Sequence, residues 1–274
     1  MGLLRRRFTF DGATVIVTGA TAGIGRELMR RLAAEGATVV ATGRRHDRLE
    51  RLAAEVDGVV AVAGDVTDAD DRTRVIEAAI ASGGGGFDLL INNAGAGAIG
   101  PFAEASPDRL RRVMEVNFFA AAELARQALP ILAASPRGGV LCNVGSVLGH
   151  AAVPDKSEYC AAKFAMHGWN DSLRAEWTGG RRGGVTVTLV SPSTTRSEFF
   201  GSLIETDSGA KSRSVGSWSP EEVAAAIVRA VERRRREVVL SFGGKALVYA
   251  DRLVPGVVSR MLARGRSSPA TVGD

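Results

Sequence analysis

The fold is decided by TVIVTGATAGIG, residues 14–25, in which an apolar, β-branched run gives way to glycines. Gly19, Gly23 and Gly25 stand at Gly-x-x-x-Gly-x-Gly spacing. Gly19 allows a tight turn out of a strand, Gly23 removes a Cβ where a ligand must approach the backbone, and Gly25 lets the next helix pack closely. Because a helix N-terminus carries free N–H groups and a partial positive charge, this turn predicts a pyrophosphate-binding site.

Outward from this turn, short β-branched runs alternate with longer stretches of helical period, which is the pattern of a parallel sheet covered by helices. The strand runs are continuously apolar, so both faces of the sheet should be covered. We predict strands at 13–18, 38–42, 59–63, 89–92, 140–144, 185–190 and 238–242. Helices are expected to begin near Ile24, Arg44, Ala69, Pro107, Ser157 and Pro220. The expected fold is a doubly wound, Rossmann-type α/β fold with a seven-stranded parallel sheet sandwiched by helices.

A single domain is predicted for residues 1–244, followed by an apolar and basic C-terminal extension, 245–274. Residues 193–218 break the strand and helix rhythm, and a long irregular insert in a compact domain is typical of a substrate loop or lid. The extension is too interrupted by charges and proline to span a bilayer. We expect it to dock on the body or on a second subunit, with peripheral membrane contact as the alternative.

The composition, 45% hydrophobic and 24% charged over 274 residues, is that of a folded globular protein. The only cysteines, Cys142 and Cys160, have no CxxC spacing, so neither a disulfide framework nor a metal site is expected. This cysteine usage and the lack of an export signal favour a cytoplasmic location. The net charge of +5 comes from arginines scattered over helices without interleaved aromatics, which argues against nucleic-acid binding.

The residues after the second predicted strand bear on the choice of dinucleotide. An NAD-binding protein places an acid there to hold the ribose hydroxyls, but this chain has Arg44 and Arg45. A guanidinium suits the 2′-phosphate, so the sequence favours NADP over NAD. The other expected cofactor contacts lie in the glycine turn and at the carboxyl ends of the third and fourth strands: Thr21, Ile24, Asp65, Val66, Asn93, Ala94 and Gly95.

The segment YCAAK places Tyr159 and Lys163 on one face of a helix. A tyrosine that acts as a base at neutral pH needs its pKa lowered by roughly 3 units, about 4 kcal/mol, whereas an exposed ion pair supplies no more than about 1 kcal/mol. Lys163 could supply this only in a water-poor cleft, aided by oxidised nicotinamide, so Tyr159 is predicted to be buried beside the cofactor. Ser146 follows the fifth strand, where it can bond a substrate oxygen. Asn117, in mid-helix, could hold a water that links Lys163 to solvent.

Together, TGATAGIG, NNAG, Asn117, Ser146 and YCAAK resemble the short-chain dehydrogenase/reductase family, over the chain to about Phe242. The resemblance implies a catalytic tetrad in which Tyr159 is the acid/base, Ser146 orients the substrate, and Lys163 binds the nicotinamide ribose and lowers the tyrosine pKa. The fourth member is Asn117.

The resemblance also implies that Pro192 and Thr195 lie near the nicotinamide. Pro-Ser-Thr-Thr stands here where the family usually has Pro-Gly, which reduces backbone freedom. Members of the family commonly form dimers and tetramers, so a homodimer or homotetramer through helices at 107–134 and 157–177 is expected.

The predicted activity is hydride transfer between NADP(H) and a carbonyl or secondary alcohol of a partly apolar small molecule. The expected substrate contacts are Ser146, Val147, Leu148, Val153, Phe199 and Phe200, with Leu203 and Trp218 as further apolar candidates. His150 is interpreted as a surface or loop histidine rather than a substrate contact. Two alternatives remain: a 3-oxoacyl-[carrier protein] reductase, whose acidic carrier would bind Arg-rich helices, and a non-catalytic, dinucleotide-sensing regulator.

Overall fold

The computed structural model describes residues 7–177, 184–195, 203–206 and 218–264. Seven parallel strands form one sheet in the order β3–β2–β1–β4–β6–β7–β9, which confirms the predicted doubly wound fold. These strands are β1 (Thr14–Thr18), β2 (Thr38–Gly43), β3 (Val59–Ala63), β4 (Leu89–Asn92), β6 (Val140–Val144), β7 (Thr186–Ser191) and β9 (Glu237–Val239). A separate parallel pair joins β5 (Ala98–Ile99) to β8 (Glu205–Thr206).

Helices cover both faces of the sheet, because successive residues of each strand point to opposite sides. Val15 packs with α1, α2 and α7 in one core cluster, whereas Ile16 packs with α3, α5 and α6 in the other. The helices are α1 (Gly23–Ala34), α2 (His46–Ala54), α3 (Ala69–Ser82), α4 (Arg109–Met114), α5 (Ala120–Ala134), α6 (Ser157–Trp177), α7 (Pro220–Glu232), α8 (Phe242–Leu253) and α9 (Pro255–Arg264). Within the described ranges, no helix is long and apolar enough to cross a membrane.

The C-terminal part of the sheet differs from its prediction. The last strand was expected at 238–242, but Ser241 adopts a φ of +64° and its Oγ accepts a hydrogen bond from the Gly244 amide, which caps α8. Because α8 begins at Phe242, the expected boundary between 244 and 245 falls inside a helix. The strands β5 and β8 were not predicted, since two residues carry too short a pattern to read.

The carboxyl ends of β1, β4, β6 and β7 meet at one edge of the sheet. The strand order reverses between β1 and β4, and ligands of open α/β sheets bind in the crevice at such a reversal. A π-helical turn, Glu115–Phe119, lies between α4 and α5 and carries Asn117 beside this crevice. Turns of this kind are rare and occur frequently at functional sites.

Candidate active site

The glycine turn has the geometry that its sequence predicts. Gly19 and Gly23 have φ values of +67° and +50°, in the left-handed region that favours glycine. A Cβ on Gly25 would overlap the Gly19 carbonyl oxygen and the Asn93 side chain, so the helix start packs directly on the strand end. No side chain caps the N-terminus of α1. Its first N–H groups therefore remain available to a phosphate.

The loop after β4 is tied to the glycine turn through Thr18. The Thr18 Oγ1 accepts hydrogen bonds from the amides of Asn93 at 3.0 Å and Ala94 at 2.9 Å, while Asn93 Nδ2 donates to the Thr18 carbonyl at 2.9 Å. These bonds hold two of the loops that were predicted to bind the cofactor at a fixed separation.

Gly95 connects this loop to the predicted catalytic residues. A Cβ at Gly95 would lie 3.0 Å from Asn117 Oδ1 and 4.0 Å from Lys163 Nζ. The loop after β4 thus lies directly beside Asn117 and close to Lys163.

The arginines after β2 lie beside the glycine turn. Arg45 donates from Nε and Nη2 to Thr21 Oγ1, at 3.2 and 3.1 Å. Arg44 is exposed, with Nη1 4.0 Å from Asp65 Oδ2. One guanidinium group therefore contacts the glycine turn, and the other lies toward the residue that follows β3 by two positions.

The remaining predicted cofactor contacts differ in their surroundings. Asp65 and Val66 follow β3, and the Val66 carbonyl accepts a hydrogen bond from Arg72 at 2.8 Å. Ile24 is only partly available, because it packs against the core beneath α1.

Ser146, Tyr159 and Lys163 are brought together where β6 ends and α6 begins. The Tyr159 hydroxyl shares a hydrogen bond with the Ser146 side chain, and Ser146 Oγ accepts from the Leu148 amide at 3.1 Å. Lys163 is 4% exposed; its Nζ donates to the Val144 carbonyl at 3.0 Å and lies 5.6 Å from the centre of the Tyr159 ring. Ser146 and Lys163 are buried, whereas Tyr159, which was predicted to be buried, is only partly buried.

The pKa values in this cluster run against one part of the prediction. Burial raises the pKa of Tyr159 to about 12, an effect that the hydrogen bond from Ser146 only partly offsets. Burial also lowers the pKa of Lys163 to about 8. The expected lowering of the tyrosine pKa by Lys163 is not seen, because the loss of solvation dominates and the ammonium is directed at the Val144 carbonyl.

Asn117 is completely buried in the π-helical turn. Its Nδ2 donates to the carbonyls of Ala96 at 2.6 Å and Val113 at 2.9 Å, and its Oδ1 accepts from the Ala96 amide at 3.3 Å. Both amide hydrogens are therefore engaged by the backbone. A water that the side chain holds, as predicted, must donate to the second lone pair of Oδ1.

The described part of the predicted substrate loop is anchored at both ends. The Pro192 carbonyl accepts from the Val147 amide at 2.9 Å. Thr195 forms an isolated parallel bridge with Trp218, and its hydroxyl donates within the loop to the Ser193 carbonyl at 3.4 Å. The contact of Thr195 with nicotinamide remains a prediction.

The centre of the same loop approaches Tyr159. The Ile204 amide donates to the Gly97 carbonyl at 2.8 Å, next to the pairing of β8 with β5. Ile204 and Tyr159 both pack against the small cluster formed by Ala98, Val113 and Ala162. The described residue Ile204 therefore lies on the same small cluster as the tyrosine.

The other predicted substrate contacts separate into groups. Leu148 and Val153 are partly buried, whereas Val147 is buried and packs closely against Gly244 of α8. Phe199 and Phe200 lie outside the described residues.

His150 is in the turn after β6, as a loop histidine would be, but the expectation of a surface position is wrong. Its side chain is 1% exposed, with Nε2 3.0 Å from Ser191 Oγ, because α6 and β9 cover it.

One buried ion pair was not anticipated from the sequence. Arg109 Nε lies 2.7 Å from Glu158 Oε1, with side-chain exposures of 0% and 1%. Arg109 Nη2 also donates to the carbonyls of Gly100 and Pro101, and Glu158 Oε2 accepts from Ser157 Oγ. The pair fixes the first turn of α6 directly before the tyrosine. Among many arginines on helical segments, no sequence signal distinguishes this one.

Comparisons with known proteins agree with this geometry. The profile of the family described as short chain dehydrogenase matches residues 13–208. The chain is 34% identical over 280 residues to Dehydrogenase/reductase SDR family member 7B of Bos taurus, covering 95% of this chain and 83% of that protein. It is 32% identical over 257 residues to Uncharacterized oxidoreductase YxnA of Bacillus subtilis, covering 91% and 71%.

Two solved structures resemble the fold closely. A short chain dehydrogenase/reductase from Burkholderia phymatum in complex with NAD superposes with a TM-score of 0.82 at 24% identity, covering 97% of this chain and all of that one. A short-chain dehydrogenase from Streptomyces avermitilis gives a TM-score of 0.76 at 29% identity, covering 93% and 98%.

Proposed function

The chain belongs to the short-chain dehydrogenase/reductase family and is a nicotinamide-dinucleotide-dependent oxidoreductase, and from this premise we propose its cofactor preference, reaction and substrate class. It uses NADP(H) in preference to NAD(H) and reduces the carbonyl group of a partly apolar small molecule to a secondary alcohol. The observation that carries the reaction is the hydrogen-bonded pair of Ser146 and Tyr159 at the end of β6, with the buried Lys163 ammonium 5.6 Å from the centre of the tyrosine ring.

The residues present fit a dinucleotide. The left-handed glycines, the uncapped start of α1 and the absence of room for a Cβ at Gly25 form a cradle for a pyrophosphate. When bound, the nicotinamide supplies the hydride. The fixed loop at Asn93, Ala94 and Gly95 would then run along the dinucleotide toward Lys163.

The proton in this reduction comes from Tyr159. As the carbonyl carbon accepts the hydride, its oxygen accepts the phenolic proton, while the Ser146 hydroxyl donates a hydrogen bond to the same oxygen. The raised tyrosine pKa keeps this proton on the phenol until it is needed. Lys163, whose pKa is lowered to about 8, is still mostly protonated at pH 7 and can return a proton to the tyrosine.

The NADP preference is supported by the arginines after β2. Arg45 reaches the turn through Thr21, and Arg44 stands exposed next to it, so both can hydrogen-bond a 2′-phosphate. The Burkholderia neighbour was solved in complex with NAD, but at 24% identity that likeness concerns the fold.

A partly apolar substrate is supported by the side chains near the tyrosine. Leu148, Val153 and Ile204 are partly buried there, and Ile204 packs on the same cluster as Tyr159. The alternatives of a carrier-linked 3-oxoacyl reductase and of a non-catalytic regulator are not favoured, since the curated relatives are named as a dehydrogenase/reductase and an oxidoreductase.

We place the enzyme in the cytoplasm, and two exposed apolar surfaces support contact with a second subunit and with a membrane surface. Phe119 is 47% exposed and Phe164, on α6, is 43% exposed, which suits burial in a homodimer or homotetramer through these helices. On α8 and α9, Val248 and Val258 are buried, while the outer face is apolar and available for peripheral membrane contact. That face consists of Phe242, Tyr249, Leu253, Val254, Val257 and Met261.

The test is a panel of ketones and secondary alcohols assayed in parallel with NADPH and NADH. Replacement Tyr159→Phe should lower the reduction rate by about 100-fold or more while dinucleotide binding persists. The matched control is Tyr249→Phe, the only other tyrosine, which is 61% exposed on α8. Reduction by the Tyr159→Phe protein at the parental rate would show that the tyrosine is not the proton donor.

A further inference from the structure

Two histidines and a glutamate converge where three elements meet beside the turn that follows Ser146. His150 lies in that turn, His167 on α6 and Glu237 on β9. The Nε2 atoms of His150 and His167 are 3.3 and 3.8 Å from Glu237 Oε1, and three ligand atoms of the cluster lie within 4.8 Å of one another. None of the three side chains takes part in the proposed reduction.

These separations suit one shared cation. In a tetrahedral site with bonds of about 2.0 to 2.1 Å, neighbouring ligand atoms are about 3.4 Å apart. His167 Nδ1 lies 3.1 Å from the Gly149 carbonyl and can donate to it, which orients the ring and leaves the Nε2 lone pair facing Glu237. Histidines that bind metals almost always have such an outer partner.

The hydrogen bonding of the cluster is incomplete without a ligand. Among the described residues, buried Glu237 Oε1 has no hydrogen-bond partner, although two imidazole nitrogens surround it. His150 is itself 99% buried by side chain; its Nδ1 has no partner, and its Nε2 lies 3.0 Å from the Ser191 hydroxyl, a hydrogen bond that must be given up when Nε2 binds a cation. Buried polar atoms in folded proteins are normally paired, so each exception requires an explanation. A cation between the three side chains would satisfy the carboxylate oxygen.

We propose that His150, His167 and Glu237 bind a divalent cation of the Zn²⁺ class. Two imidazole nitrogens and one carboxylate oxygen form a donor set that such ions take in proteins. Asp171, on the next turn of α6, places Oδ2 3.7 Å from His167 Nε2 and can complete the coordination directly or through a water.

The surrounding charges are compatible with this ion. Arg174 and Arg236 contact the other oxygen of Asp171, and the charge of Arg252 also acts on His150. The carboxylates of Glu237 and Asp171 balance a doubly charged ion. The ion would join the turn after Ser146 to α6 and to the edge strand β9, which makes it a structural site distinct from the catalytic cluster.

The test measures metal binding by the full chain after treatment with a chelator. Zn²⁺ is titrated by calorimetry, and Co²⁺ is used as a visible probe of coordination geometry. The parental protein should bind one equivalent, show a four-coordinate Co²⁺ spectrum and unfold at a higher temperature when Zn²⁺ is added.

Three variants localise the site. His167→Asn and Glu237→Gln should weaken Zn²⁺ binding by more than about 100-fold, since even outer partners of metal ligands are worth about 10- to 100-fold. His46→Asn, which changes the remaining histidine of the chain, on the exposed side of α2, should bind as the parent does. Circular dichroism checks that each variant folds. If His167→Asn does not fold, the partly exposed Glu237→Gln decides.

The proposal is overturned if the parent takes up no Zn²⁺, if Co²⁺ shows only the spectrum of the hydrated ion, or if the folded ligand variants bind as tightly as the parent. Each readout is independent of catalysis, so an error in the proposed reaction leaves the outcome unaffected.

Discussion

The buried ion pair between Arg109 and Glu158 should be essential to the stability of this fold. Replacement Arg109→Met keeps a long apolar side chain but leaves the Glu158 carboxylate, 1% exposed, without its counter-charge. Removal of one partner of such a pair costs about 3 to 5 kcal/mol in free energy of unfolding. The carbonyls of Gly100 and Pro101 also lose a donor, worth about 1 kcal/mol each, so we expect the upper end of that range.

The assay is urea unfolding followed by tryptophan fluorescence and circular dichroism. A double variant, Arg109→Met with Glu158→Gln, should lose clearly less stability than the sum of the single variants, because no charge remains buried alone. The control is Arg126→Met, which breaks an exposed pair with Glu123 and should leave unfolding nearly unchanged. A cost below about 1 kcal/mol for Arg109→Met, or additive single variants, would refute the reasoning.

Three further predictions concern the cofactor, the lysine and the assembly. Arg45→Ser should raise KM for NADPH by about 10- to 100-fold, because a charged hydrogen bond to the 2′-phosphate is lost, and should leave KM for NADH unchanged. The control Arg51→Ser, at the far end of α2, should change neither KM. An equal increase of KM for both coenzymes would contradict the assignment of Arg45 to the 2′-phosphate. Burial lowers the pKa of Lys163 from 10.5 to about 8, because the folded protein disfavours the charged ammonium. The folded state is therefore most stable above pH 10.5, where the lysine is neutral in both states, and it loses this stability as the pH falls through 8. Lys163→Met should therefore be inactive, yet its free energy of unfolding at pH 7 should exceed that of the parent by up to about 3 kcal/mol. This difference in free energy of unfolding should shrink as the pH rises toward 10.5. Chemical denaturation at several pH values between 7 and 10.5 checks the sign. Phe164→Asp should shift the protein to a smaller species in analytical ultracentrifugation, and an unchanged mass would exclude this helix face as the contact between subunits.

The sheet and the glycine turn could be predicted from the sequence because their signals are local. β-branched runs mark each main strand, and a left-handed φ at Gly19 follows from glycine's lack of a Cβ. The end of the last strand was placed wrongly because the residues from Val238 to Phe242 are mostly apolar and resemble one continuous strand. The strand ends at Val239, and the chain turns at Ser241, whose Oγ accepts a hydrogen bond from the Gly244 amide.

The grouping of Ser146, Tyr159 and Lys163 also followed from the sequence, through helical spacing and position after a strand. The pKa values of Tyr159 and Lys163 could not be predicted in the same way. The direction of the Tyr159 pKa shift depends on how much water the surrounding chain excludes, and this is a property of packing across elements.

Contacts between distant segments carried no sequence signal. His150 and His167 meet Glu237 only because β7 and β9 are neighbours and α6 covers them. In the same way, Arg109 finds Glu158 through the packing of α4 on α6.

Removal of a single residue from the π-helical turn at Glu115–Phe119 would restore regular α-helical winding and leave α5 with nearly the same face toward the core, because the wider turn accommodates one additional residue. Leu124 and Ala128 would stay in the core, but Asn117 would lose its hydrogen bonds to the Ala96 backbone. The segment that joins α4 to α5 must therefore keep its residue count to preserve the geometry of the active site, and not to keep α5 packed on the sheet.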